Sequence, residues 1–371
     1  RLNAERAAFQ QQLAMLQTAA AAEPAEQVEA VVEQAQQAAT LLDLDEAATR
    51  RIIDGQLRDA GWEVDTATHN YKKGTRPQKG RNVAIAEWPT DSGPADYVLF
   101  VGLMPLAVVE AKRAVKDVAG SIEQSKRYSR GFKPTGCESV PGSPWGEYRV
   151  PFLFATNGRP FLQQLRTRSG VWFLDARLPT NLSRPLEGWY TPEGLEELLK
   201  LDVPAAEQRL SEDSPDYLPL RDYQLLALRA VEDGLAEGLR EMLVAMATGT
   251  GKTITCIGMV YRLIKSKRFR RVLFLVDRSA LGEQAANAIK DVKLENLQSF
   301  DEIYEVKELG DVVPNADTRL HIATIQGMVK RLLFPNESAP PVPVDMYDAI
   351  VVDECHRGYS LDQEMSEVEL G

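Results

Sequence analysis

The sequence predicts an α/β protein with two globular domains behind a helical N-terminal segment, the second domain built on a parallel sheet. Three observations carry this. The 371 residues exceed what one hydrophobic core usually fills. From residue 46 apolar strand-like runs mix with amphipathic helical ones. From residue 220 short apolar runs alternate with helical stretches at the pitch of a doubly wound sheet. The expected organisation is a helical or coiled-coil segment over 1–45, an α/β domain over 46–175, a linker over 176–219 and a second α/β domain over 220–371.

Composition narrows the classes. No run of eighteen apolar residues is present, so nothing reads as membrane-spanning, and the first residues lack an apolar signal-peptide core. Cys137, Cys256 and Cys355 are too few and scattered for a disulfide framework or zinc cage, and read as reduced thiols of a cytoplasmic protein. The chain starts without Met and stops at Gly371 beside a helical stretch, so it is expected to be a piece of something longer. The net charge of −11 argues against nucleic acid until it is divided. Residues 1–45 carry −5, residues 176–371 carry −11, and residues 46–175 carry +5 (19 basic, 14 acidic), which is permissive for DNA.

The elements follow in order. Residues 1–42 are rich in Ala, Gln and Glu, with Leu2, Phe9 and Leu16 seven apart and Pro24 dividing them. They fit two helices, a short coiled coil or a solvated linker. "EAATRRIIDGQLRDAGWEV" reads as a helix stopped by Gly61 and followed by a strand. Residues 83–88, 97–101, 106–111 and 152–155 read as strands, residues 121–130 as a helix and residues 137–147 as a Gly/Pro/Ser-rich loop. A short helix is expected near residues 193–200 of the linker. The second domain is expected to run through a helix (223–237), a strand (241–247), a helix (252–265), a strand (271–276), a helix (279–290) and strands at 320–324 and 349–352.

The stretch "ADYVLFVGLMPLAVVEAKRA", beginning at Ala95, joins two apolar runs through a Gly turn. If residues 102–104 make the turn, positions summing to 206 pair, and Asp96 faces Glu110 on one side of the sheet. Glu110 and Lys112 share that side through the period-2 alternation of a strand. Two carboxylates in contact repel, and a divalent cation would resolve the conflict, with Lys112 beside it to position or deprotonate a water. Metal-assisted phosphodiester hydrolysis uses all three groups. The triplet alone also fits an edge hairpin with a surface salt bridge. The next helix bears on that choice, because Gln124 and Tyr128 lie four apart on one face. Asp54 on the preceding helix is a further candidate ligand, with a solvated helix face as the alternative.

In the second domain "MLVAMATGTGKTITC" joins an apolar run to a helix through Thr248, Gly249, Thr250, Gly251, Lys252 and Thr253. Backbone N–H groups of such a turn wrap phosphate oxygens, the helix N-terminus adds partial positive charge, Lys252 reaches the β- and γ-phosphates, and Thr253 ligates Mg²⁺. Met246 stands where the strict pattern has Gly. "AIVVDECHRGY" then delivers Asp353 and Glu354 at the C-terminal end of a strand, where ligands of open α/β sheets bind. There Asp353 would hold Mg²⁺ and Glu354 would orient the attacking water. ATP and Mg²⁺ are the cofactors this pattern calls for.

These second-domain motifs resemble the first RecA-like lobe of a superfamily 2 helicase or translocase, with Asp353, Glu354, Cys355 and His356 as its DExH box. The resemblance implies that Gln224 of "LRDYQ" reads adenine. It also implies that Arg278, Thr324 and Gln326 contact the nucleic acid backbone and that His356 couples nucleotide to nucleic acid. A helix-cap or surface role is the alternative for Arg278 and Gln326. The second lobe of such motors is not among these residues. The Asp…Glu-x-Lys pattern followed by Gln-x-x-x-Tyr resembles RecB-like PD-(D/E)xK nucleases, departing from them in Pro94-Ala95-Asp96, where the family has adjacent Pro and Asp. The two together, in this order, resemble the restriction subunit of type I restriction-modification enzymes over about residues 46–371. That resemblance implies an ATP-driven translocase acting on double-stranded DNA and cleaving away from its recognition site. It further implies methyltransferase and specificity subunits as partners. A repair-type nuclease–helicase without a methyltransferase partner, and a non-enzymatic nucleotide-gated binding module, remain as other classes.

Overall fold

The computed structural model describes residues 46–112, 118–136, 138–160, 167, 169–277, 279–308, 313–336 and 340–355. The expected helical segment over 1–45 lies outside them. The chain divides after Pro192 into two compact units.

The first unit opens with helix α1 (Glu46–Asp59). Ile53 and Leu57, four apart, are its fully buried stripe. Arg58 in its last turn suits the negative end of the helix dipole. The helix ends where Gly61 takes φ +92°, while the Trp62 N–H reaches back to the Leu57 carbonyl at 3.0 Å, as helix stops commonly do. The strand expected after Gly61 shrinks to a single bridge between Glu63 and Val83. The cause is local: the Asp65 carboxylate accepts from the N–H groups of Ala67 and Thr68 and turns the chain away.

A six-stranded sheet follows in sequential order: β1 (Asn82–Trp88), β2 (Ala95–Val101), β3 (Met104–Ala111), β4 (Phe152–Thr156), β5 (Val171–Asp175) and β6 (Arg184–Leu186). All neighbours are antiparallel except β3 and β4, which run parallel and are linked through helix α2 (Ile122–Arg130). Both faces are covered, so β3 is buried from Pro105 to Glu110 and reads as a continuous apolar run. Val98, Phe100 and Val108 pack with Ile122 and Tyr128 of α2. Each such side chain contributes roughly 1.5–3 kcal/mol by leaving water. Strands β5 and β6 were not anticipated as strands, and β6 falls in the segment expected to be linker. Both are short, and β6 contains Pro185, so neither carries a strong periodic signal.

Helix α3 (Pro192–Lys200) begins at the division, and the second unit continues with α4 (Val203–Glu212), α5 (Asp222–Ala236), α6 (Lys252–Lys265), α7 (Ser279–Asp291), α8 (Phe300–Ile303) and α9 (Ile325–Leu333). Helix α4, absent from the sequence expectation, is started by the Asp202 side chain accepting from the Ala205 N–H. Strands β7 (Val272–Val276), β8 (Glu305–Lys307), β9 (Thr318–Thr324) and β10 (Ala349–Val352) form a parallel sheet in the order β10-β7-β9-β8. Its core gathers Ile257, Val260, Phe274, Ile289 and Ile322. The strand expected over 241–247 is not formed. Those residues make no ladder, and Leu243 is 78% exposed. Apolar content alone does not make a strand without a paired edge. Ile350 and Val352 of edge strand β10 are likewise exposed. Among the described residues no helix is long and apolar enough to cross a membrane.

Candidate active site

The β2–β3 hairpin turns on two residues rather than three. Gly102, at φ +59°, and Leu103 form the turn, and Met104 already pairs with Val101. A bulge between Leu99 and Phe100 then absorbs one residue, so Leu99 pairs with Ala107, Val98 with Val108 and Tyr97 with Val109. The ladder ends at Tyr97–Val109, and just beyond it the carboxyls of Asp96 and Glu110 interact. The predicted register, in which paired positions sum to 206, therefore holds from Leu99 to Tyr97, through a bulge that the sequence did not announce.

Their surroundings are those of a strained acid pair. Glu110 is 4% exposed, and its Oε2 is buried without a hydrogen-bond partner. Lys112 Nζ forms an ion pair with Glu110 Oε1. Asp96 Oδ2 accepts from the Ala111 N–H at 2.7 Å, and Asp96 Oδ1 accepts from Arg50 Nη2 at 2.5 Å. Burial first, and the charge of Glu110 second, push the Asp96 carboxyl up to about 7, against the pull of Arg50 and the Ala111 N–H. Tyr128 of α2 is buried beside them. Its phenol is pushed up by burial, with the negative charges of Glu110 and Asp96 adding to the effect and a hydrogen bond with Gln124 opposing it. The helix thus brings Tyr128 to the carboxylate pair, and Gln124, one turn before it, meets Tyr128.

Two residues of this group were missed. Arg50 of α1 lies 2.5 Å from Asp96 and also pairs with Glu87 at 3.1 Å. Glu87 sits at φ +57° in β1, between the pairs Ala86–Tyr97 and Trp88–Ala95, and so falls opposite Asp96. A charged residue within the apolar run "NVAIAEW" was a readable signal for Glu87. Arg50 had none, because only the folded chain brings α1 to the end of β2. Asp54 is neither a ligand of the pair nor a solvated residue. It is 5% exposed, and its carboxylate accepts from the Thr66 N–H, the Thr66 hydroxyl and the Tyr97 hydroxyl. Tyr97 alternates with Asp96 and points to the other side of the sheet.

Among the described residues no three His, Cys, Asp or Glu side chains are grouped to hold a metal ion. The pair supplies two carboxylates and one orphaned buried oxygen. That donor set fits Mg²⁺, which takes one or two carboxylates and keeps several waters.

In the second unit the parallel strands bring Thr324 and Asp353 to one edge of the sheet, at the C-terminal ends of β9 and β10. Gly249 and Gly251 adopt φ of +79° and +82°, and Gly251 caps α6 without a side-chain bond. The first N–H groups of α6 therefore lack intrahelical acceptors. Thr248 and Gly249 are exposed, and Thr250 Oγ1 donates to the Ala247 carbonyl at 2.6 Å. Lys252 Nζ meets Glu354 Oε1 at 2.5 Å, and Thr253 follows in the first turn of the helix. Glu354 takes φ +52°, and its N–H donates to Asp353 Oδ1 at 2.9 Å. Lys252 is held above its usual range, by Glu354 first and Asp353 after it. Gln224 is buried on this loop, its Nε2 donating to the carbonyls of Thr250 and Gly251 at 2.9 and 3.3 Å. Thr324 caps α9 by accepting from the Gly327 N–H, and Gln326 is exposed in the first turn of that helix. Arg278 and His356 lie outside the described residues.

Two family descriptions match the chain. Residues 63–199 match the second domain of the type I restriction enzyme EcoKI endonuclease subunit. Residues 217–369 match the res subunit of type III restriction enzymes. The type I restriction enzyme EcoKI endonuclease subunit of Escherichia coli (strain K12) is 45% identical over 359 residues, covering 89% of this chain and 30% of that protein. The EcoAI endonuclease subunit of Escherichia coli is 31% identical over 270 residues, 71% of this chain and 30% of that protein. The SauCOLORF180P endonuclease subunit of Staphylococcus aureus (strain COL) is 28% identical over 275 residues, 71% of this chain and 27% of that protein. The chain thus spans less than a third of the length of these relatives.

Proposed function

Because the chain belongs to the family of type I restriction enzyme endonuclease subunits, we propose that it carries the nuclease centre and first motor lobe of an ATP-driven translocase. This translocase cuts unmodified double-stranded DNA away from its recognition site. The observation that carries the nuclease half is the interacting pair of half-buried Asp96 and buried Glu110, with Glu110 Oε2 unsatisfied and Lys112 alongside. Asp96 and Glu110 would hold a magnesium ion, which when bound stabilises charge on the phosphate and makes a coordinated water more acidic. Lys112, tied to Glu110 and one-third exposed, presents a cation to the scissile phosphate and orients the attacking water. Tyr128 and Gln124 wall the pair from the α2 side and restrict water.

In the motor half, the N–H groups around Gly249 and Gly251 wrap the nucleotide phosphates. Lys252, beside Glu354 here, would meet the β- and γ-phosphates, and Glu354 would orient the hydrolytic water. Thr253 and Asp353 would hold the nucleotide's Mg²⁺. Gln224 braces the loop through the carbonyls of Thr250 and Gly251 and would read the adenine of ATP. Thr324, Gln326 and Arg278 follow the DNA backbone, and His356 couples the two sites. Methyltransferase and specificity subunits would supply the sequence reading.

The test uses the full-length protein assembled with these partners on an unmethylated circular plasmid. Lys112→Ala should slow cutting by at least about 100-fold while DNA-stimulated ATP hydrolysis continues. Cutting at the unaltered rate would remove Lys112 from the chemistry. Efficient cutting with the partner subunits omitted would favour a repair-type nuclease–helicase instead.

A further inference from the structure

Each carboxylate of the Asp96–Glu110 pair carries a side-chain cation of its own. Lys112 holds Glu110 from the same strand. Arg50 holds Asp96 from α1, and its placement differs in kind. Its side chain is 12% exposed, and its Nη2 sits 2.5 Å from Asp96 Oδ1 and 3.1 Å from Glu87 Oε1. Asp96 Oδ2 is meanwhile taken by the Ala111 N–H, so both Asp96 oxygens are engaged. A cation that is to use Asp96 must share it with Arg50 or displace it. Glu87 offers the displaced guanidinium a second carboxylate already within ion-pair distance, and it is held there at φ +57°, a backbone region that a non-glycine residue adopts at a cost.

We propose that Arg50 is a built-in counter-cation of this site. It occupies Asp96 while metal is absent and hands it over by falling back onto Glu87, so that Arg50 and Glu87 act as positioning residues that set metal affinity. This rests on the metal-dependent reading of the pair. Binding then carries a cost set by the fraction of time Arg50 sits on Asp96, since apparent affinity scales with the competent fraction. A planar fork that bonds two carboxylates suits the exchange, and a lysine ammonium does not reproduce it.

The experiment is a Mn²⁺ titration of the full-length protein without nucleotide, read by the paramagnetic signal of free Mn²⁺, with Asp96→Asn defining background sites. Arg50→Gln should tighten Asp96-dependent binding by about three- to tenfold. Glu87→Gln should weaken it by a similar factor, because Arg50 loses its alternative partner. Simple removal of charge would also give these two signs, so the double variant decides. If Glu87 acts through Arg50, Glu87→Gln has little effect in the Arg50→Gln background. Arg50→Lys, which keeps the charge, should shift affinity measurably. Additive effects in the double variant, or wild-type affinity in Arg50→Lys, overturn the hand-over while leaving the metal site standing. Absence of any Asp96-dependent Mn²⁺ binding overturns the metal-site reading, and the hand-over with it.

Discussion

Asp96 is where burial and charge meet most directly. Its carboxyl is pushed from 3.8 to about 7, by burial before the charge of Glu110. The sign of the linked stability follows. Between about pH 4 and pH 7 the folded protein keeps a proton that the unfolded chain has lost, so metal-free stability falls as pH rises through that window and levels off above it. Three pKa units set an upper bound of about 4 kcal/mol. Asp96→Asn removes the ionising group. In metal-free protein its Tm should exceed the wild-type value by several degrees at pH 8, with a smaller gap at pH 5. A gap that does not change with pH would show that the carboxyl is not strained in this way. The residues of this site were legible unevenly. Asp96, Glu110, Lys112, Gln124 and Tyr128 could be grouped because a strand repeats every two residues and a helix nearly every four. Arg50 could not, since its nearness to Asp96 is a product of tertiary packing across 46 positions of chain.

At the scale of elements, the junction between the phosphate loop and α6 leaves little freedom. Gly251 has φ +82°, and a Cβ there would lie 2.5 Å from Gln224 Nε2. Gly251→Ala should therefore strain the backbone and displace Gln224 from Thr250 and Gly251 together. ATP affinity, measured by fluorescent-nucleotide titration, should drop by about tenfold or more, since a misplaced α6 N-terminus loses oriented N–H donors. Unchanged affinity would mean that the loop rearranges before nucleotide binds. Elements with strong periodicity were read correctly: α5, α6 and α7 in the second unit, and β1 to β4 in the first. The hairpin register was right for a reason the sequence concealed, since a two-residue turn and a bulge together gave the pairing expected of a three-residue turn. The apolar run over 241–247 failed as a strand because its ladder partner is decided by non-local pairing, which local composition does not encode.

For the whole molecule, the two units stand as separate cores, one antiparallel-rich with a parallel β3–β4 step and one wholly parallel. The positive balance of residues 46–175 within an acidic chain remains the bulk feature that suits a DNA substrate for the first unit. The proposed function puts a cutting centre and a motor in one protein, and on that reading their losses should be separable by mutation. The most direct measurement follows plasmid linearisation and ATP hydrolysis in one reaction, using full-length Asp96→Asn protein with its partner subunits, Mg²⁺ and unmethylated circular DNA. The expected result is DNA-stimulated ATP hydrolysis at close to the wild-type rate with the plasmid left uncut. Linear product accumulating at the wild-type rate would contradict the assignment of Asp96 and Glu110 as the hydrolytic metal centre.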